Sequence, residues 1–205
     1  GFGASVTAIK TGSTITGTDS VDRITGGAGS DIVSGGDGKD VINTGAGNDR
    51  VKDTVANLIT DVDVLNLGSG TDTVEITDSG AADFSGMGAF AAEAIVVAAD
   101  AGADAVVVND GQFNTGAVSI TLTGAADADN DTIKIENGGT AFEAAAEANA
   151  SDVDIAGEWH FVADAGDDAT LTYYNETNGG VTTLTIIGLD AGALTIVGND
   201  LLFTA

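Results

Sequence analysis

The chain has 205 residues, enough for one domain or two small ones with a well-buried core. Its 32 acidic residues outweigh 6 basic ones, a formal charge of −26, which excludes nucleic acid and anionic membrane surfaces as partners because both require a basic face. With 43% hydrophobic residues, 30 Gly, no Pro and no Cys, it reads as a folded chain without disulfides or thiolate sites, its turns made by Gly, Asp and Asn.

No run of 18 apolar residues occurs, so no transmembrane segment is expected. Gly1 opens no recognisable secretion leader; either a leader has been removed or export does not use the N-terminus. A disulfide-free extracellular chain needs another staple, and a bound metal ion is the candidate.

In chain order, residues 1–52 are nearly neutral, with Lys10, Arg23, Lys39, Arg50 and Lys52 against six Asp. Residues 53–205 hold only Lys134 against 26 acids, a balance of −25. Self-repulsion on that scale opposes a compact state unless cations neutralise it, which points to divalent cations in the fold; charge alone fits a solubilising acidic surface equally well. Strand-like stretches Val6–Ile9 and Ser13–Thr16 lead into a repeat. From Gly26 the chain reads GGAGSDIVS (26–34), GGDGKDVIN (35–43) and TGAGNDRVK (44–52), each fitting G-G-x-G-x-D-x-U-x with U a large aliphatic residue. The preceding GTDSVDRIT (17–25) keeps Gly17, Asp22 and Ile24 but has Thr18 and Ser20 in place of glycines. A later unit, LGSGTDTVE (67–75), restores Gly68, Gly70, Asp72 and Val74. Asp49 to Asp72 is 23 residues, which reads as one coil 14 residues longer than the others.

The period has a physical meaning. The six residues GGxGxD bend the chain so that carbonyl oxygens face inward, and x-U-x is a short strand with one aliphatic side chain in the core. Two units complete a right-handed coil, so units n and n+2 stack. This places Asp22 with Asp40, Asp31 with Asp49, Val33 with Val51 and Ile24 with Ile42. The stacked turns then face each other across gaps lined by carbonyls and two Asp side chains, an all-oxygen set suited to Ca²⁺. The candidate metal ligands and turn residues are Asp22; Gly26, Gly27, Ala28, Gly29 and Asp31; Gly35, Gly36, Asp37, Gly38 and Asp40; Gly45, Ala46, Gly47 and Asp49; and Gly68, Gly70 and Asp72. A flexible linker has no reason to keep an aliphatic residue every nine positions.

GGAGSDIVSGGDGKDVINTGAGNDRV resembles the repeats-in-toxin (RTX) nonapeptides, over about residues 17–52 and again at 67–75. The resemblance implies a calcium-bound parallel β-roll in a secreted protein, and Ca²⁺ as cofactor. It does not imply one activity, since such repeats serve proteases, lipases, toxins, adhesins and surface-layer proteins. Residues 1–78 are therefore expected to form the β-roll and 79–205 an acidic β-rich domain.

Beyond residue 78, aliphatic segments recur at Ile95–Ala98, Ala105–Val108, Val118–Leu122, Thr132–Ile135, Trp159–Val162, Leu171–Tyr174, Val181–Ile187, Ala193–Val197 and Leu201–Phe203. They predict an all-β sandwich or an irregular β-helix. Thr140-Ala-Phe-Glu143 reads as a capping box, so one short helix is expected near 140–150. Residues 170–203, ending Asp200-Leu201-Leu202-Phe203, resemble the C-termini of type I secretion substrates, which makes that machinery an expected partner.

Catalytic equipment is scarce. The single His160 sits between Trp159 and Phe161 in a strand-like stretch, where a structural role outweighs catalysis. No HExxH, GxSxG or Walker-type loop occurs. Asp127-Ala-Asp129-Asn-Asp131 begins like a calcium loop, but Thr132 and Gly138 break the EF-hand pattern. The expectation is a non-enzymatic, calcium-dependent extracellular or cell-surface protein that self-assembles into a lattice or filament. The alternative is the calcium-binding and secretion end of a larger enzyme, toxin or adhesin.

Overall fold

A computed structural model describes residues 3–8, 12–60, 63–88, 92–98, 105–109, 116–123, 132–136, 159–163, 168–175, 180–187, 195–197 and 200–204. The elements in chain order are β1 (Ser5–Thr7), β2 (Thr14–Thr16), β3 (Arg23–Ala28), β4 (Ile32–Ser34), β5 (Val41–Ala46), β6 (Arg50–Asp53), a π-helical turn (Ala56–Thr60), β7 (Val64–Asn66), β8 (Thr73–Ile76) and β9 (Ala81–Asp83). They continue with β10 (Ala94–Ala98), β11 (Ala105–Asn109), β12 (Gly116–Thr123), β13 (Thr132–Glu136), β14 (Trp159–Ala163), β15 (Asp168–Asn175), β16 (Gly180–Ile187), β17 (Thr195–Val197) and β18 (Asp200–Thr204).

The architecture is an all-β parallel solenoid, consistent with a β-roll. Even-numbered strands from β2 to β12 pair in parallel along one face, in the order β2-β4-β6-β8-β10-β12. Odd-numbered strands form the opposite face in two sheets, β1-β3-β5-β7 and β9-β11-β13. Each face carries one aliphatic column because the U residue is the inward position of a three-residue strand. Ile15, Val33, Val51, Val74, Ile95 and Ile120 stand in register on one face, and Ile24, Ile42 and Leu65 on the other; all are buried. Their strand neighbours point outward, where Arg50 and Lys52 both reach Glu75 one coil on, at 2.9 and 2.7 Å.

Each strand-like segment expected beyond residue 78 coincides with a strand, although of Ala193–Val197 only Thr195–Val197 lies within the described residues. Of the two architectures expected there, the parallel ladder from β8 through β10 to β12 continues the solenoid as an irregular β-helix. The chain then changes pattern. β15 and β14 add antiparallel to β16, and β18 lies antiparallel between β13 and β17. Leu201 and Leu202 are therefore paired on both sides, and Phe203 with Ile133 of β13. The helix expected near 140–150 and the acidic loop at 127–131 lie outside the described residues. His160 falls on β14 opposite Thr172.

The coil from Asp49 to Asp72 corrects the expected 14-residue excess. Coils close every 18 residues, since Ile24 pairs with Ile42 and Val33 with Val51. The span of 23 between Val51 and Val74 exceeds that by only five, because an unrecognised unit ending at Asp63 lies in between. The added residues form the π-helical turn, which sends Leu58 and Ile59 into the core.

Ile42, fully enclosed between Ile24 and Leu65, provides the test of this core. Ile42→Ala is expected to cost about 2–5 kcal/mol in denaturant unfolding. Val64→Ala, on the exposed side of β7, should stay within about 0.5 kcal/mol.

Candidate calcium site

Two columns of turns flank the core. On one side, turns 26–31, 44–49 and 67–72 stack, with the N–H of Gly29 bonded to the carbonyl of Ala46, and that of Gly47 to Ser69. On the other side, turn 17–22 stacks on 35–40, with the N–H of Gly17 bonded to the Ser34 carbonyl, and 35–40 in turn meets Asp53 and Asp63 of the next coil. The close approach requires glycine. Gly45 has φ of 102°, and a Cβ there would collide with the Gly27 carbonyl oxygen; Gly47, at 142°, would meet Gly29 in the same way. Carbonyls of one turn thus face the next at a distance that no side chain could share.

Each turn ends in a buried acid, and these acids form two ladders. In the first, the N–H of Ala4 donates to Asp22, that of Asp22 to Asp40 Oδ1 (2.7 Å) and that of Asp40 to Asp63 Oδ1 (2.8 Å). In the second, the N–H of Ser13 donates to Asp31 Oδ1 (2.6 Å), Asp31 to Asp49 Oδ1 (2.8 Å), Asp49 to Asp72 Oδ1 (2.8 Å) and Asp72 to Glu93 Oε2 (2.7 Å). Every rung joins the backbone of one coil to the carboxylate of the next. The six Asp rungs are at most 3% exposed.

One oxygen of each rung is used in this way; the second separates the rungs into kinds. Asp22 is saturated by donors, because Thr18 gives it both its N–H and its hydroxyl. Burial raises its pKa, but the N–H groups of Ala4 and Thr18 and the Thr18 hydroxyl outweigh that and hold it below the ordinary value. Asp31 Oδ2 takes the Gly27 N–H at 3.1 Å. Oδ2 of Asp49 and of Asp72 is buried and accepts no hydrogen bond. Burial, reinforced by repulsion from Asp49 and Glu93, holds Asp72 above the ordinary carboxylate value, against the pull of the Asp49 N–H. A buried anionic oxygen without a donor is what a cation would satisfy. The surrounding groups are carbonyls and carboxylates, a hard-oxygen set that fits Ca²⁺. Among the described residues no three acidic or His side chains converge, so backbone carbonyls must supply most ligands.

The expected residues fall on these turns as follows. Asp22, Asp31, Asp40, Asp49 and Asp72 are ladder rungs. Gly26 and Gly35 open their turns, with no room for a Cβ beside the Asp that closes the same turn, Asp31 and Asp40. Gly27 and Gly45 pair across coils, as do Ala28 and Ala46. Gly36 faces Thr18, Gly68 faces Gly45 and Gly70 faces Gly47. Gly38 faces Ser20. Asp37 is exposed at the turn's third position, apart from the ladders. Sequence reasoning missed two rungs, Asp63 and Glu93. Asp63-Val-Leu-Asn66 repeats Asp40-Val-Ile-Asn43 almost residue for residue, which was a usable signal; Glu93 follows no glycine turn.

Residues 16–51 match the family model of the RTX calcium-binding nonapeptide repeat, in four copies. Comparison with the curated proteins gives no match. These repeats bind Ca²⁺, and the Asp-rich turns fit that cofactor. The chain therefore contains a calcium-binding module of a kind typically found in secreted proteins, a structural fold and not a catalytic one. Among the described residues, no helix is long and apolar enough to cross a membrane.

The raised pKa of Asp72 has a stability consequence. A carboxyl whose folded-state pKa exceeds its unfolded value costs stability at neutral pH, and the cost vanishes as pH falls through the raised pKa to the unfolded 3.8. Asp22 has the opposite sign, and its contribution is lost only below 3.8. In chelator at high NaCl, Asp72→Asn should withstand more urea than the unsubstituted chain at neutral pH. That advantage should close as pH approaches 3.8.

Proposed function

We propose that this chain is a calcium-folded extracellular structural module that self-associates, as a subunit of a surface layer, filament or matrix. Residues 1–78 serve as its calcium-binding roll and 79–205 as its acidic β-rich part. The observation that carries the reading is the buried, donorless Oδ2 of Asp49 and Asp72 between stacked glycine turns. Ca²⁺ between turns 26–31, 44–49 and 67–72 would convert the Asp49 and Asp72 carboxylates, whose unsatisfied oxygens oppose folding, into ligands that require it, and a further ion belongs between 17–22 and 35–40. The ligands are the rung carboxylates and turn carbonyls.

The charge supplies the switch. With −25 over residues 53–205, a calcium-free chain repels itself and remains extended. Ca²⁺ at the cell exterior binds the folded state alone, so mass action drives folding there. The type I-like end at 170–203 supports export in the extended state. It is also the feature that favours a second reading, in which the chain is the secretion end of a larger enzyme, toxin or adhesin.

Support for self-association comes from the first coil. β1 and β2 each end a sheet, with no partner strand on their outer side among the described residues. Neither Pro nor Lys blunts the described residues of that edge.

At low ionic strength the strand circular dichroism signal should be lost in chelator and return between roughly 10⁻⁴ and 10⁻³ M Ca²⁺. Asp31→Ala and Asp40→Ala should each reduce the Ca²⁺ stoichiometry measured by calorimetry; unchanged stoichiometry would overturn the site. Light scattering should rise with Ca²⁺ across the same titration. A chain that folds with calcium yet stays monomeric at high concentration would favour the secretion-module reading.

A further inference from the structure

The solenoid presents open strand edges at both ends, and the edges match in direction. At the first coil they are β2 on one face and β1 on the other. In β2 the Ser13 carbonyl accepts the Ile32 N–H at 2.8 Å and the Gly17 N–H donates to the Ser34 carbonyl at 2.9 Å. The parallel ladder thus turns the backbone groups of Ile15 toward β4, and those of Thr14 and Thr16 away from it. In β1 the Ala4 carbonyl accepts the Arg23 N–H at 2.9 Å and the Ala8 N–H donates to the Thr25 carbonyl at 2.8 Å. The N–H and C=O of Ser5 and Thr7 therefore face outward as well. No strand covers either row among the described residues.

At the far end the edges are β14, in the same sheet as β2, and β17 on the β1 face. β15 runs antiparallel to β16 and β14 antiparallel to β15, so two reversals restore the direction. β14 is parallel to β16 and, through the unbroken parallel ladder, to β2. Likewise β18 reverses against β13 and β17 against β18, so β17 is parallel to β13. A solenoid crosses each face in one sense, so β17 also shares the direction of β1. Each far edge has the polarity needed to precede the first coil of another copy. None of the four edge strands contains Lys, Arg, Asp, Glu or Pro, with which monomers blunt such edges.

Charge selects among the pairings. Residues 1–52 balance at −1 and hold five of the six basic residues, while 53–205 carry −25. Tail-to-tail contact would oppose two acidic parts, and head-to-head contact would leave β14 and β17 open. Head-to-tail contact uses all four edges and sets the acidic part against the nearly neutral one. We infer that a second copy of this chain docks head to tail, β14 on β2 and β17 on β1, each as a parallel pair. Such a contact joins unlike surfaces, and it propagates as an unbranched, polar filament. The inference rests on the self-association proposed above and specifies the surfaces that meet.

In saturating Ca²⁺, sedimentation and electron microscopy of the full chain should show unbranched fibres that lengthen with protein concentration. Ser5→Pro with Thr14→Pro removes two outward N–H groups and no bond of the internal ladder. Its circular dichroism should match that of the unsubstituted chain, and its fibres should be lost. Mixed with unsubstituted chains, it still adds through its intact tail and then offers a blocked head, so fibres should shorten in proportion to its share. A thiol test reads the same contact without proline. The chain has no Cys, so Thr14→Cys and His160→Cys each carry one thiol. A short bismaleimide should join these two variants when mixed, and join neither to itself. Thr14→Cys chains joined to one another, no joining in the mixture, or full-length fibres in the presence of the folded proline variant would overturn head-to-tail docking. An unsubstituted chain that folds with Ca²⁺ and stays monomeric would instead overturn the self-association on which it rests.

Discussion

A carboxylate buried between two coils has two oxygens, and the backbone of a parallel solenoid offers it one regular donor. That mismatch governs this molecule. The N–H of each rung residue satisfies Oδ1 of the rung one coil later, which sets the coils in register. The second oxygen must be satisfied by other means. At Asp22 the means is Thr18; at Asp53, off the ladder, it is Ser34 and Gly36. At Asp49 and Asp72 no protein group serves. Leaving a buried group unsatisfied costs about 1–3 kcal/mol, and more when it is charged. A domain's whole stability is only about 5–15 kcal/mol. Two such oxygens therefore cost a sizeable share of that stability, and a cation that satisfies them stabilises the folded chain.

The glycines follow from the same constraint. Carbonyls can reach a cation in the gap only if consecutive turns approach without side chains between them. The left-handed conformations at Gly45 and Gly47 are the backbone's way of achieving this. The aliphatic columns then set the spacing from the inside, through Val33 on Val51 and Ile24 on Ile42. Turn and core are thus two halves of one period. A substitution in either disturbs the stacking on which the other depends.

This coupling explains what could be read from the sequence. A unit that carries its glycines, its acid and its aliphatic residue at fixed spacing announces all three roles, so the coil pairings and the rungs Asp22, Asp31, Asp40, Asp49 and Asp72 were legible. Asp63 was harder to see because only its last four residues keep the pattern. The preceding turn exchanged glycines for a helical segment whose Leu58 and Ile59 fill the core instead. Glu93 is a rung by position and hydrogen bond alone. The strands beyond residue 78 were legible as aliphatic runs, but their change from parallel to antiparallel pairing was not. Alternation fixes which side of a strand is apolar and says nothing of its direction.

The ladders also have a direction, and it bears on how two copies could meet. Each carboxylate accepts from the coil before it, so the first described coil is held by Asp22 and Asp31 from the second. In that first coil the rung positions are Ala4 and Ser13, which carry no charge. A strand added beyond β1 or β2 would find backbone donors and acceptors there, but no rung carboxylate with which to share a cation. Calcium would then govern such an association by forming the coil that presents the edge, and by screening acid–acid repulsion between copies, while the contact itself would be an ordinary sheet extension.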